Sequence, residues 1–140
     1  MNLALAIEVA ESLCIQWERV VLTPYLCPAG IPTIGVGATY YEDGAAVTLC
    51  DHSISKERAM QLLHWMIVTK YFPAVMHLCP GIDSPDRLAA IIDFTFNLGS
   101  GNLRISNLRK RINAGRWDDV PAELRKWVWA GGIKLRGLAS

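Results

Sequence analysis

Trp17–Thr39 reads WERVVLTPYLCPAGIPTIGVGAT, and the fold turns on how this stretch changes the texture of the chain. Ahead of it, residues 3 to 17 keep a helical period. Leu3, Ala6, Ile7, Ala10, Leu13, Cys14 and Trp17 fall on one stripe, while Glu8, Ser12 and Gln16 point away. From residue 23 to 49, three prolines and four glycines interrupt any such period. Pro28-Ala29-Gly30 and Glu42-Asp43-Gly44 are turn signals, and Ile31 to Val36 is a short strand-like run. The segment therefore predicts a small antiparallel sheet, with Pro32 placing its strand at an edge or a bulge.

After Asp51 the pattern is helical. Ser53 or Ser55 caps a helix carrying Met60, Leu63, His64 and Ile67. Phe72-Pro73 kinks or restarts it. Ser84-Pro85-Asp86 is a helix start, with a cap, a proline at the first position and an acid in the first turn. That helix carries Leu88, Ile91, Ile92 and Thr95 and stops near Gly99. Residues 104 to 113 read as a basic helix ending at Gly115, and 117 to 129 as a Trp-rich one ending at Gly131-Gly132. The order of helix, small sheet and several helices is α+β with the sheet segregated from the helical bulk. One domain is expected over residues 1–140, with a sheet lobe at about 19–54 and a helical lobe from about 1–18 plus 55–140. The cleft between the lobes is the natural binding site.

Composition agrees with one globular unit. The 140 residues are 51% hydrophobic and 19% charged, which excludes disorder, a coiled coil and a low-complexity tail. No apolar run reaches the ~18 residues a membrane-spanning helix needs. Met1 to Cys14 is apolar but lacks Lys and Arg and contains Glu8 and Glu11, which is not the pattern of an export signal. A soluble chain that needs help to cross a membrane is expected.

Charge is uneven. Through Gly99 there are five Lys/Arg against ten Asp/Glu, and from Ser100 onward nine against three. A basic C-terminal third suits an anionic partner such as a cell-wall polymer, a membrane surface or nucleic acid, or else is a solvated helix face. Cys14, Cys27, Cys50 and Cys79 are widely spaced with no C-x-x-C. Cys50-Asp51-His52 and His77-Leu78-Cys79 offer metal-binding side chains, but no metal is expected, and the thiols should be reduced.

Glu18 is the first candidate for chemistry. It ends a helix at the negative pole of the macrodipole, beside Trp17 and near the apolar stripe. Both effects favour the protonated carboxyl that a glycosidase general acid requires. The alternative is a surface Glu at a helix end. Cys27 and Thr33 come next. A hairpin centred on Gly30 would set them opposite each other on one face, where a thiol and a hydroxyl can hold a water or meet a substrate carbon. Otherwise they are ordinary strand residues. Gly35-Val36-Gly37 lacks a third glycine in register, since Tyr40 stands there, so a dinucleotide site is not expected. Those glycines let a sheet bend or a polymer approach the backbone. His52, His64 and His77 are scattered and suggest no triad. Trp117, Trp127 and Trp129 lie at helical spacing, as core residues or as a sugar platform.

Together Glu18, Cys27 and Thr33 form E-x8-C-x5-T. With Thr33-Ile34-Gly35-Val36-Gly37, the stretch resembles the active-site segment of the phage-type lysozymes, or endolysins, of glycoside hydrolase family 24. That family carries Glu, then Asp or Cys, then Thr within T-I-G-x-G. Phe94–Gly99 (FTFNLG) resembles its F-N-x-G helix end, and Leu108–Trp117 and Trp127–Leu138 resemble its C-terminal lobe. The resemblance implies a lysozyme-like fold. It also implies a monomeric, cofactor-free muramidase that cuts the β-1,4 bond between N-acetylmuramic acid and N-acetylglucosamine.

By position, the resemblance makes Glu18 the general acid and Thr33 a residue that places the attacking water. Cys27 would assist that water, stabilise positive charge or attack the sugar. Phe96 and Asn97 would line the cleft, with Ser106 or Asn107. The implied partners are peptidoglycan strands, not nucleic acid, and no stable membrane insertion is expected. Such an enzyme accumulates in the bacterial cytoplasm and reaches the wall once a holin opens the inner membrane. Arg19 departs from the family's usual Gly after the catalytic Glu, and Arg136 from a usual neutral residue or Pro. A rival reading is a wall-binding module with weakened turnover.

Overall fold

In the first helix, Asn2 accepts the Leu5 N–H at 3.0 Å, starting α1 (Leu3–Trp17). Ala6, Ala10 and Cys14 recur at helical spacing and are buried, whereas Leu3 and Leu5 at the free end stay exposed. The small side chains let α1 lie close against α4 (Pro85–Leu98), whose Leu88, Ile91, Ile92 and Thr95 are buried. The computed structural model describes residues 1–130. The side chains of Trp17 and Trp129, and the expected stop at Gly131-Gly132, lie outside the described residues, as do Arg136 and the Gly-Leu pair.

The sheet is a single antiparallel hairpin of β1 (Val21–Leu26) and β2 (Pro32–Gly35). Its register pairs Tyr25 with Thr33 and Leu26 with Pro32, while Val21 pairs with Gly35 across a bulge. Pro24, which has no N–H to offer a ladder, lies in that bulge. This corrects the expected alignment: Cys27 faces Ile31, donating its N–H to the Ile31 carbonyl at 3.0 Å, and does not face Thr33. The loop is Pro28-Ala29-Gly30, and Gly30 supplies the positive φ (77°) that closes a three-residue connection. The glycine is the last residue of the loop and not its centre. After β2 the chain reverses tightly, with Ile34 and Ala38 exchanging both backbone hydrogen bonds at 2.9 Å.

Polar and ionic ties fasten the sheet segment to the start of the next helix and the residues just before it. Ile54 donates its N–H to the Leu22 carbonyl at 2.9 Å, and the Thr23 and Ser53 hydroxyls meet at 2.9 Å. Arg58 grips Glu42 with two bonds at 2.7 and 2.6 Å. Ser55 is the cap of α2 (Lys56–Met66), accepting the Arg58 N–H at 3.1 Å. A π-helical turn, Ile67–Tyr71, then joins α2 to α3 (Phe72–Leu78), so Phe72-Pro73 restarts the helix as expected.

Gly99, at φ 86°, ends α4. The single basic helix expected over 104 to 113 is two helices, α5 (Ser100–Ile105) and α6 (Asn107–Asn113). Extended backbone at Ser106 (ψ 150°) parts them, and its hydroxyl accepts the Arg109 N–H at 3.0 Å. A 3₁₀ turn, Trp117–Asp119, leads into α7 (Val120–Ala130). Ile34, Val36, Ala38 and Val47 join the helical residues in one continuous apolar core. The architecture is α+β and lysozyme-like.

Candidate active site

Glu18 is the C-cap of α1. Its backbone leaves the helical region (φ −96°, ψ 145°) while its N–H still donates to the Cys14 carbonyl at 3.2 Å. Its side chain is exposed, in the short junction between α1 and β1. Charge couples it to groups on two sides. On the hairpin side is Tyr25, whose phenol is pushed up by desolvation and then by the charges of Cys27 and Glu18, against Arg19, which lowers it. On the helical side are Cys14 and Asp93.

Cys27 and Thr33 are diagonal neighbours on the Tyr25 face of the hairpin. Thr33 is buried and donates its hydroxyl to the Ile31 carbonyl at 2.8 Å. The Cys27 thiol is pulled below its usual range. The Ile31 N–H has the largest effect, and desolvation opposes it. The Ala29 N–H and the residue's own N–H add to the lowering. The tight loop thus surrounds an accessible sulfur with hydrogen-bond donors. These donors shift the balance toward thiolate relative to an unperturbed cysteine.

The α1–α4 seam has the opposite character. Cys14 is 1% exposed and Asp93 3% exposed, and the Cys14 thiol donates to the Asp93 carboxylate. Burial, followed by Asp93, raises the thiol well above its usual range. Burial likewise brings the Asp93 carboxyl up to about 6; Glu18 adds to the rise, while Cys14 and Asn97 oppose it. Asn97 Nδ2 donates to the Asp93 carbonyl at 2.8 Å and to its carboxylate at 3.1 Å, so the amide is held at the end of α4.

Phe96 stands against the Thr33–Gly37 reversal. A Cβ added at Gly37 would sit 3.8 Å from its Cζ, and Tyr71 meets it edge-on at 5.4 Å. Gly35 and Gly37 both take positive φ, at 68° and 72°, and Val36 between them is fully buried. They shape a turn that brings backbone close to Phe96, as expected of glycines that bend a sheet.

Of the other expected contacts, Ser106 is a correction. It is 3% exposed and spends its hydroxyl on two bonds, donating to Leu103 at 2.8 Å and accepting from Arg109. Asn107 beside it is exposed. The basic third is partly used internally: Arg116 pairs with Asp119 at 3.0 Å, and Lys126 with Glu123 at 3.0 Å. Trp117 carries Arg87 over its ring at 4.4 Å, and Trp127 packs edge-on against Phe94. All four cysteines are free, and no group of three metal-binding side chains is found among the described residues. Sequence reasoning missed Tyr25 and Asp93. The signal for Asp93 was an acid on the apolar face of α4, one turn before Asn97.

A family model of phage lysozyme matches residues 15–140. The SAR-endolysin of Escherichia phage Mu is 29% identical over 131 residues, covering 94% of this chain and 72% of the relative. The SAR-endolysin of Bacteriophage PS119 is 38% identical over 58 residues, 41% of this chain, and the match spans only 35% of that relative's length. Among solved structures, an endolysin from Escherichia coli O157:H7 phage FAHEc1 superposes with a TM-score of 0.75 at 27% identity. That match covers 99% of this chain and 87% of the other. With the family matched over nine-tenths of its length, this chain belongs to the phage lysozyme family.

Proposed function

We propose that this chain is a muramidase that hydrolyses the β-1,4 bond between N-acetylmuramic acid and N-acetylglucosamine in peptidoglycan and so lyses bacterial cells. The observation that supports the reading is that Cys27 and Thr33 share the Tyr25 face of the hairpin, while Glu18 ends α1 three residues ahead of β1. Family membership supplies the substrate class. The SAR-endolysin relatives support action on the wall from the periplasm. Among the described residues no helix is long and apolar enough to cross a membrane.

In this mechanism Glu18 donates its proton to the glycosidic oxygen as the bond to the sugar's anomeric carbon breaks, and positive charge develops on the ring. The Cys27 thiolate faces that charge and takes a proton from the water that adds to the anomeric carbon. The Thr33 hydroxyl, whose proton is held by the Ile31 carbonyl, positions this water through its remaining acceptor capacity. An Asp at this position would carry a fixed charge; here the loop N–H groups stabilise charge on sulfur. Phe96 and Asn97 line the cleft, with Asn107 further along. The chain acts as a single domain and a monomer, with glycan strands as its partner and the cleft between sheet lobe and helical lobe as the site.

Turbidity clearing of outer-membrane-permeabilised Gram-negative cells tests the assignment. Clearing should disappear in Glu18→Gln. A chain that pellets with purified walls but never clears cells would instead be a binding module. Mass spectrometry of Glu18→Gln incubated with muropeptides tests the role of Cys27. No sulfur-linked sugar is expected, and an adduct on Cys27 would make it the nucleophile.

A further inference from the structure

Two cavities meet at Lys70. One, of about 230 Å³, lies between the end of the sheet segment and α2, with Thr39, Tyr40, Trp65 and Met66 in its wall. The other, of about 330 Å³, lies between α3 and the α4–α5 junction, walled by Tyr71, Thr95, Phe96 and Ser100. Lys70 belongs to both walls and is the single charged residue in either, among the described residues. Phe96 links the second cavity to the Thr33–Gly37 reversal, so the pair continues from the site already described.

The placement of Lys70 has a local cause. In the π turn Ile67–Tyr71 the Phe72 N–H reaches back to the Ile67 carbonyl, which inserts one extra residue into the helix. Such turns are rare and frequently occur at functional sites. Here the inserted turn brings Lys70 to the saddle between the cavities. Its ammonium lies 5.2 Å from the Tyr71 ring centroid, and Tyr71 in turn braces Phe96. Lys70 is exposed and has no ion pair among the described residues, so its charge is free for a ligand.

We propose that Lys70 and its two flanking cavities form a subsite for a carboxylate on the peptide substituents of the glycan, so that the cleft reads acidic stem peptides as well as sugar. The inference rests on the muramidase reading. An ammonium is a compact point charge with three donors on a flexible stem, suited to a carboxylate whose position varies along a polymer. The mostly apolar first cavity accommodates the small aliphatic part of such a peptide.

Binding is measured in the Glu18→Gln chain, which separates it from turnover. The probes are soluble muropeptides from purified sacculi, either native or with carboxyls amidated, and glycan strands stripped of peptide by an amidase. At low ionic strength the native probe should bind about fivefold tighter than the other two. Lys70→Met should erase that preference, and Lys70→Arg should keep most of it. In the active chain, Lys70→Met should raise KM on native substrate by a similar factor while kcat holds. A preference that survives in Lys70→Met, or equal binding of native and amidated probes, overturns the proposal. Preferential binding of stripped strands overturns the peptide assignment in favour of the lactyl carboxylate of the sugar. No binding of any probe overturns the muramidase reading together with the subsite.

Discussion

Cys27 and Cys14 are the same residue type in opposite surroundings. Cys27 sits on the hairpin turn, partly exposed, where backbone N–H groups lower its thiol. Cys14 sits between α1 and α4, with burial and Asp93 raising its thiol. The contrast extends to the two regions. The hairpin exposes polar backbone and so favours negative charge, as a reaction that develops a cation requires. The helical seam excludes water and disfavours charge on Cys14 and Asp93, which suits a platform that holds Glu18 in place. Glu18 lies at the boundary, coupled to both.

The largest effect expected is on turnover. Glu18→Gln should slow clearing by about 10²–10⁴-fold, the usual contribution of a positioned acid. An unchanged thermal midpoint would show that the helix end remains folded. Cys27→Ser should cost roughly ten- to hundredfold, and Cys27→Asp should restore much of it. Because the thiol must ionise, activity of the unaltered chain should rise with pH below the normal thiol range, and Cys27→Asp should move that limb to the acid side. A Cys27→Ser variant with full activity would remove the hairpin from the chemistry.

The helical region is sharpened by stability measurements. The Asp93 carboxyl stands near 6 in the folded chain, above its ordinary 3.8. The folded state therefore binds the proton more tightly than the unfolded one. Stability from this group is complete below about pH 4 and declines as pH rises through about 6, by roughly 3 kcal/mol in all. Denaturant midpoints of the unaltered chain should fall across that window, and those of Asp93→Asn should be flatter. Equal slopes would mean that the seam does not hold a neutral acid. The smallest change is Ser55→Ala, which removes the cap of α2 and should cost about 1 kcal/mol in a urea titration.

Legibility in the sequence followed the same division. The α1 stripe, the Ser55 cap and the Pro85 start were readable because period and capping chemistry act locally. Glu18 stood out for the same reason, through its place at a helix end, whereas Thr33 was singled out through an assumed pairing with Cys27 that the register does not contain. The hairpin register was misread by centring it on Gly30. A type of loop that ends in a left-handed glycine looks, as letters, much like one centred on it. The break at Ser106 was hidden by basic residues on both sides, and the π turn at Lys70 has no sequence period of its own. Tyr25 enters the site only through cross-strand pairing, and Asp93 only through helix packing. Both are tertiary facts.

The most direct test is the chemistry of the ends produced. Purified sacculi are digested, and the released muropeptides are weighed by mass spectrometry with and without borohydride reduction. The account requires fragments ending in reducible muramic acid, made by the unaltered chain and absent with Glu18→Gln. Anhydro-muramic ends, or identical fragments from the Glu18→Gln chain, would contradict it.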